Sequence, residues 1–408
     1  MKTSHFIQLT FYPLFLISLI GCGVLTSSPQ VSIGNEGDLA SVSSIEHGNI
    51  VAGALSDFFR NSADKVRGIK GGAKEGGASK KPFVSLYEAG YEDGNEYLIG
   101  VRKNCSVDLL EISSERQIRL GKILDGCDKI SYSSKERVLA VASGNIISIY
   151  SIPQLNLLKR SDRVQSAIES IDLHKTKSEL VIGGADGRVY RWAWDVTRFP
   201  TEGGEGRYDF ERYIGHNSVV ATVKYHPAGG VFFSGDWGGN VRAWKGYDRD
   251  PYGGRYDTNL FGTQFFTDAT VSRTFPRGKK SEKVEHIMPT ADGSKLFLAL
   301  SDGNVELWGV RGLLKKISTQ AHEGPIRFFE AGNFTPGSNV HFVSYGRDDQ
   351  LVVGNYTVQF DQLLNEQRFQ FKKLLDKNIR GITALHLLKD NSLLIAKKDG
   401  STEQMDIL

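Results

Sequence analysis

Hydrophobic and polar positions along the chain recur in one pattern. An apolar stretch is followed by small residues, a turn containing Asp or Gly, and an alternating stretch that ends in an aromatic residue. The clearest copies are Leu180–Trp192, Phe232–Trp244 and Leu296–Trp308. Alternation of period two on both sides of a tight turn is typical of a β-hairpin. We therefore predict an antiparallel hairpin at each copy.

Four weaker copies bring the number of predicted hairpins to seven. They end at Leu110, Tyr150, Gly354 and Met405. Six positions before the seven ends, the turn residues are Asn104, Gly144, Asp186, Gly238, Asp302, Asp348 and Asp399. Consecutive turn residues are 40 to 64 positions apart, which leaves room for two further strands in each copy. This spacing predicts seven four-stranded units.

The repeated unit resembles the WD repeat. Further features of that family are Gly215-His216 before a predicted strand, His226-Pro227 at the next turn, and His322-Glu323-Gly324 in the sixth copy. No copy ends in a literal Trp-Asp, and related propeller families with Gly-rich hairpins fit the same spacing. The resemblance covers residues 83–408. It implies an all-β, seven-bladed β-propeller built of four-stranded antiparallel blades.

The acidic turn residues could be mistaken for catalytic or metal-binding groups. In WD repeats the Asp of this turn bonds a His of the preceding loop and so fixes the blade. The resemblance therefore implies structural roles for Asp186, Asp302, Asp348, Asp399 and His216. Asp236 stands two residues before the matching position, which Gly238 occupies, so its role stays open.

Residues 1–21 have the pattern of a secretion signal. Their apolar run is too short and too interrupted to span a bilayer comfortably. The run ends in Leu19-Ile20-Gly21-Cys22, which resembles the bacterial lipoprotein box. The resemblance implies cleavage before Cys22, acylation of Cys22, and, because Gly23 follows, a location in the outer membrane facing the periplasm. An ordinary signal peptide or an uncleaved anchor is the alternative.

Residues 22–82 are rich in Ser, Gly, Ala and Lys, a composition typical of a flexible tether. Apolar residues between Ile50 and Phe59 recur at helical spacing and predict one short amphipathic helix. The seventh copy, however, ends without an outermost strand. WD proteins commonly supply that strand from the N-terminal side, and residues 49–55 are an alternative source for it here.

Two long connections, residues 197–213 and 245–283, leave the third strands of neighbouring blades, so we expect them on one face. Their candidate partner-binding residues are Arg198, Phe199, Arg207, Tyr208, Tyr247, Arg249, Tyr252, Arg255 and Tyr256. Tyr and Arg anchor many protein interfaces because each combines a large contact area with a polar group. Our first hypothesis is an unknown protein partner. Cell-wall glycan is a second candidate, and a self-packed insertion is the third interpretation.

Composition adds few chemical constraints. The formal net charge of +3 is too small to indicate nucleic acid, and 40% hydrophobic with 24% charged residues is typical of a globular protein. Catalytic motifs such as Gly-x-Ser-x-Gly, a phosphate loop or a dinucleotide fingerprint are missing from the sequence. We therefore predict no enzyme activity, no cofactor and no metal centre.

A metal- or cofactor-binding propeller enzyme is the least favoured alternative. It would require acids or histidines in the central channel, and the candidates are Glu169, Asp172, His174, Lys224, His226, Glu285, His286 and His386. Their spacing is not that of zinc ligands.

Two cysteines remain after the acylation of Cys22. Cys105 falls in the first hairpin turn, and Cys127 in the loop that leads to the second copy. Both connections should lie on one face of neighbouring blades. They could form a disulfide in an oxidising periplasm or remain two separate buried thiols. Together the patterns predict a membrane-anchored lipoprotein whose propeller is an interaction scaffold in the bacterial cell envelope.

Overall fold

The computed structural model describes residues 81–92, 95–195, 210–245, 273–274, 282–310, 314–332, 340–361 and 366–407. All regular elements in these residues are β-strands, arranged in seven antiparallel sheets. Six sheets contain four strands and the seventh contains three. Each first strand contacts the first strand of the next sheet, and the last of them contacts the first. The predicted seven-bladed β-propeller is confirmed.

The strands are grouped here by their position within a blade. The first strands, which surround the channel, are β1 (Phe83–Glu92), β5 (Lys129–Ser133), β9 (Ile168–Leu173), β13 (Val220–Tyr225), β17 (Val284–Pro289), β21 (Ile326–Ala331) and β25 (Ile382–Leu387). The second strands are β2 (Asn95–Arg102), β6 (Val138–Ser143), β10 (Glu179–Gly184), β14 (Val231–Asp236), β18 (Lys295–Leu300), β22 (Val340–Gly346) and β26 (Ser392–Lys397).

The third strands are β3 (Ser106–Glu111), β7 (Ile146–Ser151), β11 (Arg188–Ala193), β15 (Val241–Lys245), β19 (Asn304–Gly309), β23 (Gln350–Asp361) and β27 (Thr402–Asp406). The outermost strands are β4 (Arg116–Lys122), β8 (Leu157–Arg160), β12 (Glu211–Ile214), β16 (Arg273–Thr274), β20 (Leu314–Gln320) and β24 (Glu366–Asn378).

The hydrophobic core is divided among the contacts between neighbouring blades. Seven clusters of buried side chains lie in the described residues, and each joins two adjacent blades. Between blades 3 and 4, for example, Val181 packs with Phe232 and Trp244. Central strands are therefore buried on both faces, which explains why they appear in the sequence as continuous apolar runs.

Polar groups connect the first strands around the channel. The N–H of Leu173 donates to the Ser131 hydroxyl at 3.0 Å, and the N–H of Tyr225 donates to the Asp172 carboxylate at 2.8 Å. Each bond joins the first strands of consecutive blades. Blade packing is thus fixed by directed hydrogen bonds as well as by apolar contact.

Blade 7 differs from the others because its third strand is exposed. Four of the five side chains of β27 are exposed, whereas β19, its counterpart in blade 5, is almost wholly buried beneath β20. Among the described residues no fourth strand pairs with β27. Both the predicted helix within residues 50–59 and the alternative strand at 49–55 lie outside the described residues. No helix in the described part is long and apolar enough to cross a membrane.

Candidate functional site

The two faces of the propeller carry different connections. We call junction face the one formed by the loops between blades and by the turns between second and third strands. Its described loops are 123–128, 161–167, 215–219, 321–325 and 379–381, and its described turns are 103–105, 144–145, 185–187, 237–240, 301–303, 347–349 and 398–401. The strand ends that precede both long predicted connections lie on the opposite face.

On the junction face, blade 4 contains a buried chain of four hydrogen-bonding side chains. His216 Nδ1 lies 2.9 Å from Asp236 Oδ2, and His216 Nε2 lies 2.6 Å from Ser234 Oγ. Trp244 Nε1 donates to the same hydroxyl at 2.6 Å. Because a carboxylate only accepts, Nδ1 carries the imidazole proton, and Nε2 accepts from the serine. We call this set the blade 4 lock.

The lock holds the ionised form of Asp236. Burial alone would raise the pKa of this carboxyl, but hydrogen bonds from His216 and from Asn240 outweigh burial and leave the pKa below its ordinary value. The backbone N–H of Asn240 donates to Asp236 at 2.7 Å, so the same carboxylate also fixes the following turn. Asp236 thus has the role expected for a residue two positions later, at Gly238.

Blade 6 contains a shorter version of the lock. His322 Nδ1 contacts Asp348 at 3.1 Å, and its Nε2 contacts the Ser344 hydroxyl at 2.8 Å. Burial lowers the pKa of His322 although Asp348 opposes that effect, so the imidazole is neutral at neutral pH. Gly354 of β23 pairs with Phe342 just as Trp244 pairs with Phe232, so blade 6 has no indole at this point.

The other predicted turn acids accept hydrogen bonds within their own turns. Asp186 accepts from the Tyr190 hydroxyl at 2.6 Å, Asp302 from the backbone N–H of Asn304 at 3.0 Å, and Asp399 from that of Ser401 at 2.9 Å. These contacts stabilise the hairpins, and within the part of the chain that the structure describes none of the three carboxylates bonds a histidine.

An exposed tryptophan stands on the turn that the lock fixes. The Trp237 side chain is 49% exposed, although its backbone N–H donates to Val219 O at 3.0 Å. Lys283 Nζ lies 5.1 Å from the ring centroid. Our sequence reasoning missed Trp237, and the available signal was a large aromatic residue in a turn otherwise made of Gly and Asn. Ile214, 72% exposed, ends β12 on the same side of the neighbouring blade.

Blades 1 and 2 are joined covalently on the same face. Cys105 and Cys127 form a disulfide, with their α-carbons 5.7 Å apart. The bond links the turn after β2 to the loop that enters blade 2. Of the two states that the sequence left open, the structure therefore has the bonded one.

Channel groups proposed for a metal or cofactor are engaged with one another. Lys224 Nζ contacts Asp172 at 2.6 Å, and His386 Nδ1 contacts Glu330 at 3.2 Å. Burial would lower the pKa of Lys224, but Asp172 outweighs it and raises the value. The pKa of His386 is raised in the same way, because Glu330 outweighs burial. Each basic group is thus matched to a carboxylate of the preceding blade.

The remaining channel candidates are also held in pairs or by the backbone. Glu169 contacts Lys129 at 3.6 Å, and Glu285 contacts Lys283 at 2.9 Å. His286 Nε2 donates to a backbone carbonyl of the next blade at 3.0 Å, and burial lowers its pKa.

Two further histidines occupy equivalent turns after β9 and β13. His174 Nδ1 and His226 Nδ1 each accept a backbone N–H at 3.1 Å, so each proton resides on Nε2. Burial lowers both pKa values, that of His174 to about 4. In the described part of the chain, no group of three or more His, Cys, Asp and Glu side chains is placed to hold a metal ion.

The predicted partner-binding and lipid sites lie outside the described residues. This holds for Cys22 and for all nine Arg, Phe and Tyr candidates between residues 198 and 256. Acylation, partner binding and glycan binding at these positions stay predictions.

The fold and the lock define the class of the protein. Residues 210–245, which include the complete lock, match the family model described as WD domain, G-beta repeat. The chain is thus a seven-bladed β-propeller in which one segment, residues 210–245, matches a WD repeat.

Comparison with known proteins agrees with this class. The chain is 26% identical over 182 residues to the serine-threonine kinase receptor-associated protein of Gallus gallus, covering 45% of this chain and 48% of that protein. The human protein of the same name is 28% identical over 124 residues, 30% of this chain and 32% of that protein. The chain therefore spans less than half the length of these curated relatives.

A solved structure shares the fold. The WD40 β-propeller domain of Doa1 superposes with a TM-score of 0.53 at 11% identity, covering 80% of this chain and 93% of that one. At this identity the likeness supports the architecture alone.

Proposed function

We propose that this protein is a membrane-anchored interaction scaffold of the bacterial cell envelope. Its propeller binds a protein partner through the junction face of blade 4, and an acylated Cys22 attaches it to the outer membrane on the periplasmic side. The proposed partner site rests on one observation: the Trp237 side chain is half exposed on a turn that the buried lock holds in place.

A rigid, exposed tryptophan is suited to protein binding. Tryptophan is enriched among the residues that dominate interface energies, because its ring offers a large contact area and a polar N–H. Side chains on flexible loops lose conformational freedom on binding, which reduces affinity. The turn of Trp237 is fixed at both ends, by the Trp237 N–H on Val219 O and by Asn240 on Asp236, so little ordering remains to be done.

The envelope location is supported by two independent features. The Leu19–Cys22 segment resembles a lipoprotein box. Separately, Cys105 and Cys127 are bonded, and structural disulfides persist mainly in oxidising compartments such as the periplasm. The disulfide supports export without any reference to the N-terminal sequence.

A cross-linking experiment tests the partner site. The tagged protein and its Trp237→Ala variant are expressed in the native host, cross-linked in membranes, and compared for the proteins recovered. We expect at least one partner to be lost with Trp237→Ala and retained with Lys372→Ala, a control at an exposed residue on the outermost strand of blade 6. Recovery of identical partners from both variants would contradict the proposed site.

The same experiment tests whether the two long connections contribute to partner binding. A variant lacking residues 245–257 would lose the same partner if that connection contributes to the interface. Sedimentation with purified cell-wall sacculi provides the alternative outcome, because glycan binding would be retained when Trp237 is replaced and lost with the deletion.

Mass spectrometry of the mature N-terminus tests the anchor. We expect an acylated N-terminal Cys22, and a Cys22→Ser chain that leaves the membrane fraction. An intact, unmodified residue 22 in the mature protein would contradict the lipoprotein assignment without affecting the partner site.

A further inference from the structure

One sector of the propeller edge exposes apolar side chains. Five large hydrophobic side chains are exposed among the described residues, and three of them are Leu124 at 86%, Leu157 at 51% and Leu158 at 53%. These leucines belong to the sector formed by the outermost strands of blades 1 and 2, β4 and β8, together with loop 123–128. We call this sector the blade 1–2 rim.

The blade 1–2 rim is basic. Its residues 116–128 and 157–160 contain five Lys and Arg against two Asp. The excess of three positive charges on this small surface equals the formal net charge of the whole chain, +3. On β8 the sequence is Leu-Leu-Lys-Arg, and all four side chains are exposed. Apolar and cationic groups therefore lie next to each other on the same strand.

Contacts between the two blades make the rim one continuous surface. Leu155, just before β8, lies against β4, where a Cβ on Gly121 would stand 2.8 Å from its side chain. Asp125, next to Leu124, pairs with Arg160 of β8 at 3.4 Å. The disulfide at Cys127 holds the same loop to blade 1. Leu124 is thus kept in place although its side chain is in solvent.

This combination of groups matches a lipid surface better than a protein. Exposed leucines flanked by Lys and Arg are typical of segments that lie at the headgroup boundary, where the apolar groups enter the membrane and the cations contact anionic lipids. Of the rim cations, Lys122 and Lys159 are of the type depleted at protein–protein interfaces, whereas arginine is enriched there, so the preference for lipid rests on the exposed leucines together with the lysines. The exposed edge of blade 7 has the opposite character, since β27 contributes Glu403 and Asp406 and no cation.

We propose that the blade 1–2 rim lies on an anionic lipid bilayer and sets the orientation of the propeller. The disc then stands on its edge, and the junction face with Trp237 remains open to a partner from the side. This inference deepens the proposed function and rests on its membrane location. It does not depend on acylation, because the rim carries its own lipid-binding groups.

Contact can be measured at single positions. In the full chain with Cys22→Ser, the disulfide uses the other two cysteines, so Leu157→Cys introduces one free thiol. An environment-sensitive fluorophore on this thiol is titrated with vesicles of phosphatidylglycerol and phosphatidylcholine that contain a lipid-borne quencher. We expect a blue shift and quenching at position 157, and neither with Ile214→Cys as the control. Equal quenching at both positions, or none at 157, would overturn the proposal.

Charge is tested separately in the Cys22→Ser chain by co-sedimentation with the same vesicles. Lys122→Glu with Lys159→Glu, two exposed rim lysines, should weaken binding about tenfold or more. The matched control reverses two exposed lysines on the outermost strand of blade 6, Lys372→Glu with Lys373→Glu, and should retain most of the binding. If both pairs weaken binding equally, the attraction is general and the rim is not the site. Pure phosphatidylcholine vesicles should show no difference between the variants.

Failure of this inference can be separated from failure of the proposed function. An acylated Cys22 together with an unquenched label at 157 would leave the anchor valid and remove the rim. A quenched label together with an unmodified residue 22 would support the rim and remove the anchor. A label at 157 that is protected only in the presence of other envelope proteins would assign the rim to a protein partner and overturn the lipid proposal.

Discussion

Blades 4 and 2 both fix the loop that enters them from the preceding blade, but by different chemistry. In blade 4 the loop residue His216 is held by Asp236 and Ser234. Loop 123–128, which enters blade 2, contains no histidine and is held by the disulfide at Cys127. A cleft of about 230 Å³ remains between this loop and the second and third strands of blade 2.

The difference shows what each device requires. The blade 4 lock needs four polar groups of matching geometry, all buried, and each loses its hydration on folding. The disulfide needs only two cysteines within reach and tolerates an unfilled space beside it. Blade 4 should therefore be sensitive to changes in packing and acid, and the junction of blades 1 and 2 to reductant.

The largest expected effect is at Trp244, the buried indole of the lock. Trp244→Ala removes the donor to Ser234 and empties a fully buried site, which should lower the free energy of unfolding by about 3–5 kcal/mol. Denaturant unfolding followed by circular dichroism measures the change. Trp308→Ala in blade 5 is the matched control for cavity size. Because Trp308 also donates a buried hydrogen bond, to Glu306, the two variants should lose similar amounts, and a clearly smaller loss at Trp244 would contradict a stabilising lock.

Removal of the disulfide should have the next largest effect. Cys105 and Cys127 are 22 residues apart, and closing such a loop stabilises the folded state by about 3 kcal/mol through the unfolded chain. We expect the double variant Cys105→Ser/Cys127→Ser to lose this amount in denaturant unfolding. Reductant should reproduce the loss in the natural protein and leave the double variant unchanged. A natural protein insensitive to reductant after unfolding and refolding would contradict the bonded state.

The hairpins were predictable from the sequence because both blade faces are buried. Burial on both sides makes runs such as Leu180–Gly184 apolar throughout, and the turns require small or acidic residues. The ring followed from the number of copies. These features depend on local sequence alone.

The lock was only partly predictable, because its partners come from different strands and loops. The repeat pattern places the turn residue six positions before Trp244, at Gly238. In the structure His216 instead contacts Asp236, at the end of β14. Trp308 occupies the same place in its own repeat but donates to Glu306 instead of a serine. The position of a loop residue over the blade is set by the packing of two blades, which no single repeat encodes. The exposure of Trp237 was not predictable either, because it too depends on how two blades pack.

Acid should weaken blade 4 more than the disulfide-linked junction. Asp236→Asn is expected to lower the free energy of unfolding by about 2 kcal/mol at pH 7, because it replaces a charged acceptor of several hydrogen bonds. The folded pKa of Asp236 lies below its ordinary value of 3.8, so its contribution is complete above that pH and disappears as pH falls through the folded pKa. The stability difference between natural protein and variant should therefore shrink below pH 4.

Unfolding curves collected between pH 7 and pH 3 provide this measurement. Asp348→Asn in blade 6 should behave alike but with a smaller effect, because that carboxyl is partly exposed and its lock lacks an indole. A difference between natural protein and Asp236→Asn that is constant over this range would contradict the ionised lock.

The smallest effect on stability is expected at the two exposed anchors, where the comparison of the blades becomes a comparison of functions. Leu124→Ala should change the free energy of unfolding by less than about 0.5 kcal/mol, because its side chain is 86% exposed, and Trp237→Ala by about 1 kcal/mol or less, because half of its side chain is in solvent. Their binding effects should be opposite: Trp237→Ala loses the protein partner and retains vesicle binding, and Leu124→Ala does the reverse. Reduction of the disulfide should weaken vesicle binding in the same direction as Leu124→Ala but by less, since it removes one of the contacts that hold the loop, Asp125–Arg160 being another, while the blade 4 lock stays intact. If either variant abolished both kinds of binding, blades 4 and 2 would not be separate sites, and the assignment of one to protein and the other to lipid would be wrong.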